Sequence, residues 1–268
     1  MKIYSYSLQG RRNQNEDTHF TLNNIDGKIN NINKINLLCV FDGHGGKCVS
    51  QYLRTNLPLE LLKNQNTNTY NIKTHSIKSF NNIFNSIQQS LIMNHPKVVQ
   101  YCGSTACVCI HYITNKNRHK LWVLNVGDTR IVKCNKYNIA EQLSLDHKPN
   151  EPDEKIRIES MGGKVYRDTE GVYRIKNLSL SRAFGDLDCV PYVTHIPSIY
   201  NPNINNGDKF IILACDGLWD VLSNQDAVEF VNTLLNNNNY KGNIAKDIAE
   251  YAYNKKSLDN ITVIVYLL

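Results

Sequence analysis

Two apolar runs in the chain end in the same dipeptide. Ile35 to Phe41 (INLLCVF) leads into Asp42-Gly43-His44-Gly45-Gly46, and Phe210 to Cys215 (FIILAC) leads into Asp216-Gly217. An apolar strand that stops at Asp-Gly delivers a carboxylate to the rim of a rigid sheet, and the glycine lets backbone or ligand approach closely. A third acid, Asp259, stands just ahead of the run Ile261 to Tyr266, and Glu16-Asp17 precedes the short run His19 to Leu22. Taken singly, an Asp-Gly is more often a turn than a ligand. Four acidic sites at strand edges weigh the other way, because carboxylates gathered together repel one another unless cations share the site. An all-oxygen set without Cys or clustered His favours Mg²⁺ or Mn²⁺ over zinc. Two such ions can share a carboxylate and activate water against a phosphoester. Arg12, four residues before Glu16, is of the type that grips a phosphate dianion through paired hydrogen bonds. His44, beside Asp42, can donate a proton to a leaving oxygen, an effect worth about 10²–10⁴ in rate.

Those acids need stiff elements behind them. Besides the two runs ending in Asp-Gly, Thr105 to Ile113, Leu121 to Val126 and Ile261 to Leu267 are short, apolar and rich in β-branched residues, which predicts strands. Several are too continuously apolar for a one-sided sheet, so central strands covered on both faces are expected. Helical periodicity marks Lys47 to Leu62, Ser76 to Met93, Glu151 to Ser160, Asp226 to Leu235 and Ile244 to Tyr253, with Ser223 and Asp226 as a capping box for the fourth. The strands and helices do not alternate as a βαβ train would. An α+β protein follows, with antiparallel sheets sandwiched between helices. Asparagine clusters at Asn30 to Asn36, Asn64 to Asn71 and Asn236 to Asn239 fit loops, since Asn tolerates turn geometry. No repeat or linker interrupts the sequence, so residues 1–268 are expected to form one domain.

Composition excludes more than it assigns. The chain has 268 residues, enough for a sizeable core, and its net charge of +6 suits a phosphorylated substrate as well as it suits an ordinary surface. Nothing resembles a basic arm or an RNA module, so no nucleic-acid partner is expected. The eight cysteines contain no Cys-x-x-Cys pair and several sit in strand-like runs, which predicts free buried thiols in a reducing compartment, cytoplasmic or nuclear. No apolar run is long enough to span a membrane, and Met1-Lys2-Ile3-Tyr4 opens neither a signal peptide nor a myristoylation site. The glycosylation-type matches at Asn177 and Asn260 are then chance. Cys48 to Arg54 matches the Cys-x₅-Arg of thiol phosphatases, but the intervening residues read as helix rather than as a Gly-rich anion cradle. The GHGGK stretch (Gly43 to Lys47) lacks the spacing and the Ser/Thr of a P-loop. His111 and His119 lie too far apart in pattern to suggest a metal pair and read as ordinary strand and loop residues, Trp122 and Trp219 as core aromatics, and Leu59, Leu61 and Leu62 as helix packing.

GRRNQNED (Gly10 to Asp17), FDGHGG (Phe41 to Gly46), GSTA (Gly103 to Ala106), NVGDTR (Asn125 to Arg130), DHKP (Asp146 to Pro149), SRAFGD (Ser181 to Asp186), ACDGLWD (Ala214 to Asp220) and LDN (Leu258 to Asn260) follow one another along nearly the whole chain. In kind and order they resemble the protein phosphatase 2C, or PPM, family, in its eukaryotic branch. FDGHGG together with ACDGLWD is highly specific, whereas GSTA alone is weak. The resemblance implies a β-sandwich of two antiparallel sheets flanked by helices, and hydrolysis of phosphoserine and phosphothreonine in phosphoproteins by a monomer. It implies that Asp42 bridges two Mg²⁺ or Mn²⁺ ions, that the Gly43 carbonyl binds one, and that Asp216 and Asp259 hold the other. Glu16 and Asp17 would act mainly through bound waters, Arg12 would bind the substrate phosphate, and His44 would be the general acid. Asp128 would help Asp216 form a third, weaker metal site, and residues 147–177 would include a mobile flap. One departure is Leu258, where relatives often carry a basic residue. The competing reading is a pseudophosphatase that serves as a binding scaffold; against it, Asp42, Asp216 and Asp259 are all present with Arg12 and His44.

Overall fold

A computed structural model describes residues 1–26, 32–62, 76–114, 116 and 118–268, so the asparagine cluster at 64–71 lies outside the described residues. The first half of the chain forms β1 (Lys2–Leu8), β2 (Thr18–Asp26), β3 (Ile32–Phe41), β4 (Gly43–His44), α1 (Cys48–Leu62) and α2 (Ile77–Asn94). There follow β5 (Gly103–Ser104), β6 (Ala106–Thr114), β7 (His119–Val126), β8 (Arg130–Cys134) and β9 (Ala140–Gln142). The second half forms α3 (Pro152–Ser160), β10 (Val165–Arg167), β11 (Tyr173–Ile175), β12 (Phe184–Gly185) and β13 (Ser198–Tyr200). It ends with β14 (Phe210–Ala214), α4 (Asp216–Trp219), α5 (Asn224–Leu235), α6 (Ile244–Asn254) and β15 (Ile261–Leu267).

Two five-stranded antiparallel sheets, in the orders β13-β7-β6-β3-β2 and β1-β15-β14-β8-β9, carry the architecture. Strand parity assigns each side chain to a layer, because successive residues point to opposite faces. In β3, Ile35, Leu37, Cys39 and Phe41 face Leu53, Leu57, Phe80 and Phe84 of α1 and α2. The alternate residues Leu38 and Val40 face Ile211 and Leu213 of β14 and Ile264 and Tyr266 of β15, between the sheets. On the far side, Phe210, Ile212, Val263 and Val265 meet Val228, Val231, Ile248 and Ala252 of α5 and α6. The continuous apolar runs are therefore strands buried on both faces, and the fold is the expected α+β sandwich. Ser223 and Asp226 form the capping box of α5, each side chain accepting from the other's backbone N–H.

Several local readings change. β1 escapes the search for apolar runs because it is an edge strand, alternating Tyr4, Tyr6 and Leu8 with Ser5 and Ser7. Asn36, placed in a loop cluster by composition, lies inside β3 with no exposed surface, and its side-chain oxygen accepts from the Asn24 N–H beside a β-bulge. Leu59 does not pack, being 52% exposed, while Leu61 and Leu62 are buried. His111 and His119, far apart in pattern, meet in the fold. The β6–β7 register sets His119 opposite Ile113 and His111 opposite Leu121, so both rings share a face. His111 Nε2 meets His119 Nδ1 at 2.9 Å, and His111 Nδ1 meets the Tyr266 hydroxyl at 2.5 Å.

Where β14 turns into α4, the chain passes so close to Asn260 that a Cβ on Gly217 would lie 2.0 Å from the Asn260 carbonyl oxygen. Gly217→Ala is expected to cost about 3 kcal/mol, because backbone must move against backbone. Gly162→Ala, whose Cβ meets nothing within 4 Å despite a φ of +82°, is expected to cost only about 1 kcal/mol. Urea unfolding midpoints of the two variants check the contrast.

Candidate functional site

At one end of the sandwich the acids that leave the strands converge. Asp42 follows β3, Asp216 opens α4 after β14, Asp128 lies in the β7–β8 turn, Asp259 precedes β15 and Glu16-Asp17 precedes β2. Ligand-type atoms of Asp42, Asp128 and Asp216 lie within 4.8 Å of one another, and so do those of Asp17, Asp42 and Cys215. Asp42, Asp128, Asp216 and Asp259 border a cleft of about 480 Å³ whose wall also carries Arg12, Glu16, Gly43 and His44, with Asp17 behind Asp42. Every site residue expected from the sequence is thus in or beside one cleft.

The backbone behind these side chains is clamped. The Asp42 N–H donates to Thr105 Oγ1 at 3.0 Å, and the Asp42 carbonyl accepts from the Thr105 N–H at 2.8 Å. Ser50 Oγ donates to the Glu16 carbonyl at 2.5 Å, which ties the Glu16-Asp17 segment to α1. Asn260 Oδ1 accepts from the Glu16 N–H, while its Nδ2 donates to the carbonyls of Gln9 and Gln14. Asn260, which reads in the sequence as a chance glycosylation match, is thus a tie of the site. Its position directly after Asp259 was the available signal.

Burial and crowding act on the acids in the same direction. Burial first, then the charges of Asp17, Asp216 and Asp128, push the Asp42 carboxyl well above the usual carboxylate range. Burial and Asp128 do the same to Asp216, with Lys148 opposing. Asp17 is pushed up to about 6 by burial, although Thr262 Oγ1 donates to it at 2.7 Å. Asp17 Oδ1 is buried with no hydrogen-bond partner. Burial pushes the Cys215 thiol up as well, and Asp17 and Asp42 add to that, so it stays neutral beside the acids. A buried carboxylate oxygen without a donor, next to acids that raise one another, is the electrostatic complement of hard divalent cations. The all-oxygen donor set fits Mg²⁺ or Mn²⁺.

Cationic side chains stand around this negative centre. Lys148 Nζ lies 2.5 Å from Asp128 Oδ2. Burial works against the lysine's charge, yet Asp128 and Asp216 outweigh it and hold its pKa above the usual value. Arg12, its side chain 60% exposed, pairs with Asp259 at 2.6 Å. His44 Nε2 lies 2.7 Å from Asp186 Oδ2. Nothing in the spacing of Lys148 or Asp186 along the sequence says what they touch. Leu258, the residue that departs from the expected pattern, is 72% exposed beside Asp259. Cys48 opens α1 as a half-buried helical residue.

Residues 147–177 contain α3 and the β10–β11 hairpin, and they bring Arg174 and Asn177 to the cleft wall. Glu154 of α3 is buried and accepts from Ser181 Oγ, Arg157 and Arg182. Burial opposes its charge, but those donors prevail and hold its carboxyl at about 2. Ile158, Ile175 and Leu180 form a small core of their own with Ala183, Cys189 and Val193.

The family model described as protein phosphatase 2C matches residues 1–261. A rice protein named probable protein phosphatase 2C 45 is 35% identical over 265 residues, which cover 98% of this chain and 86% of the relative. A PP2C-like domain-containing protein of Acanthamoeba polyphaga mimivirus is 40% identical over 174 residues, covering 57% of this chain and 97% of its own length. Among solved structures, a C. elegans sex determining protein superposes with a TM-score of 0.86 at 25% identity, over 99% of this chain and 64% of that one. The chain belongs to the protein phosphatase 2C family and is a metal-dependent protein serine/threonine phosphatase.

Proposed function

We propose that the chain hydrolyses phosphoserine and phosphothreonine in phosphoproteins at a centre of two Mg²⁺ or Mn²⁺ ions shared by Asp42. The observation that carries this reading is that Asp42 belongs to both acidic groups, one with Asp17 and the other with Asp128 and Asp216. The Gly43 carbonyl would join Asp42 on one ion, and Asp216 and Asp259 would hold the other. Glu16 and Asp17 would act through water, and Asp128 with Asp216 would offer a third, weaker position. Bound there, the ions supply Lewis acidity that makes water nucleophilic at neutral pH and neutralises phosphoryl charge. Arg12 would grip two phosphoryl oxygens at the cleft rim and orient the ester bond. His44 would give its proton to the seryl or threonyl oxygen as the P–O bond breaks and its electron pair stays on that oxygen. Water supplies the oxygen that replaces it on phosphorus, and the proton that water sheds returns to His44 through solvent.

Residues 147–177 would act as a flap, since they carry Arg174 and Asn177 to the cleft. The whole chain would work as one catalytic domain and as a monomer. Its eight free cysteines suit a reducing cytoplasm or nucleus, and no described helix is long and apolar enough to cross a membrane.

Turnover is expected to vanish in excess EDTA and to return with millimolar Mn²⁺ or Mg²⁺; full turnover in chelator sinks the two-ion reading. Binding should also be visible without catalysis, stabilising the fold by about 2.7 kcal/mol at a hundredfold excess over Kd. Asp17 sits at about 6 in the fold against 3.8 when free, so between those values the folded site holds a proton that a cation must expel. The metal-induced rise in Tm is therefore expected to be larger at pH 7.5 than at pH 5.5, as read by scanning calorimetry with and without Mn²⁺.

Asp42 and His44 should fail differently. Asp42→Asn is expected to weaken metal binding and lower turnover on every substrate. His44→Gln is expected to keep the metals and lose about 10²–10⁴ on phosphothreonine peptides, where the departing alkoxide needs a proton. Its loss on p-nitrophenyl phosphate, whose phenolate leaves unprotonated, should be much smaller. Equal losses on the two substrates, or lost metal binding in calorimetric titration, refute the assignment of His44.

A further inference from the structure

His44 reaches the cleft on β4, a strand of two residues that cannot by itself fix a side chain. What holds the ring comes from a distant part of the chain. His44 Nε2 lies 2.7 Å from Oδ2 of Asp186, whose side chain is only 2% exposed. Among the described residues, neither side chain has another side-chain hydrogen bond. We infer that Asp186 is a positioning residue for the reaction: it holds His44 Nε2 and so leaves Nδ1 as the nitrogen that serves the departing seryl or threonyl oxygen. The inference rests on the general-acid reading of His44 and extends it, by naming the group that fixes the ring's rotation and tautomer.

The local backbone is built around this contact. β4, β5 and β12 form a small three-stranded ribbon with β5 in the middle. Gly103 of β5 pairs with His44 on one side and with Gly185 on the other, so the ribbon brings His44 and Asp186 to one place. A Cβ on Gly103 would lie 2.1 Å from Asp186 Oδ2 and 2.5 Å from His44 Nε2, so any larger residue would split the pair. Asp186 itself is left-handed, with φ 47° and ψ 45°, and its N–H donates to the Cys102 carbonyl at 3.3 Å. That backbone conformation costs a non-glycine residue about 1–2 kcal/mol, although aspartate tolerates it better than most. Burying a carboxylate against a single partner adds little to stability, because desolvation offsets the attraction. A buried carboxylate behind a catalytic imidazole does have a mechanical use. It selects one tautomer and stops the ring from turning a carbon toward the reacting atom.

The test uses the full chain with Mn²⁺ and compares His44→Gln, Asp186→Asn and the double variant on a phosphothreonine peptide and on p-nitrophenyl phosphate. Asp186→Asn is expected to lose about tenfold to a thousandfold on the peptide and far less on the aryl ester. The double variant should be no slower on the peptide than His44→Gln alone, because both changes disable one device. In ¹H–¹⁵N spectra of the metal-free protein, the proton on His44 Nε2 should give a slowly exchanging, hydrogen-bonded resonance that Asp186→Asn abolishes. Equal losses on both substrates, a double variant that multiplies the single losses, or a wild-type Nε2 resonance in Asp186→Asn overturns the inference. Should Asp186→Asn fail to fold, Asp186→Glu, which keeps the charge but displaces the oxygen, is read by the same ratio and resonance. If His44→Gln shows no dependence on the leaving group, the general-acid reading falls and this inference with it. If it does and Asp186→Asn does not, only this inference falls.

Discussion

Asp17, Asp42, Asp128 and Asp216 bring four carboxylates together at one end of the sandwich, where Lys148 is the cation paired with one of them. Two like charges at the 4.8 Å limit of these groups oppose each other by about 3 kcal/mol at the effective dielectric of a protein site. Burying one leucine or phenylalanine contributes about 1.5–3 kcal/mol. Each ionised acidic pair therefore offsets roughly one fully buried core side chain. That ratio accounts for where the acids sit. They lie at strand ends and turns, never in the middle of a strand, and the strands that lead into them are among the most completely buried of the fold.

Placing the acids also requires that those strands share a register. Leu38 and Val40 point between the sheets, and Asp42 continues the same parity past the end of β3. Thr262 points inward from β15 by the same rule and donates to Asp17, while its neighbours Ile261 and Val263 pack outward on the helices. A slip of one residue in either strand would exchange core and site. The apolar layers therefore fix the positions of the acids as well as the stability of the sandwich. Thr105 and Asn260 then pin the chain where it leaves the sheets, Thr105 by holding both sides of Asp42 and Asn260 by tying three points of the N-terminal segment to β15.

The sequence made this much legible because its strongest signals, apolar runs that end in Asp-Gly, are local. A run and its terminal acid lie within one element, so the acid's position follows from the strand. The α5 capping box was readable for the same reason, since Ser223 and Asp226 are three residues apart. What stayed hidden depends on contacts between distant segments. Asp186 and His44 are separated by 142 positions and meet only because the β4-β5-β12 ribbon joins them. Lys148 and Asp128 lie 20 apart across a turn and strand pair that no periodicity announces. The His111–His119 contact needed the β6–β7 register, which residue types alone do not set. β1 was lost because an edge strand half-buried on alternating tyrosines lacks a continuous apolar run.

The two kinds of chemistry in the cleft rest on different supports. The carboxylates hang from the ends of the two large sheets, and their crowding raises one another's pKa. His44 hangs from the small ribbon, outside both sheets, with Asp186 behind it. A centre held by these sheets would need little rearrangement to receive the proposed cations, and much of its cost would already be met in the folding of the sandwich. The proton donor proposed for the reaction has a different requirement: its ring would have to point one nitrogen at the departing oxygen while its charge state changes during each turnover. A short ribbon can hold such a ring by one directed hydrogen bond without tying it to the layers that carry the acids. In the proposed reaction, separate mountings would let His44 serve the leaving group without disturbing the positions of Asp42 and Asp216, although His44 is only two residues from Asp42 in the chain.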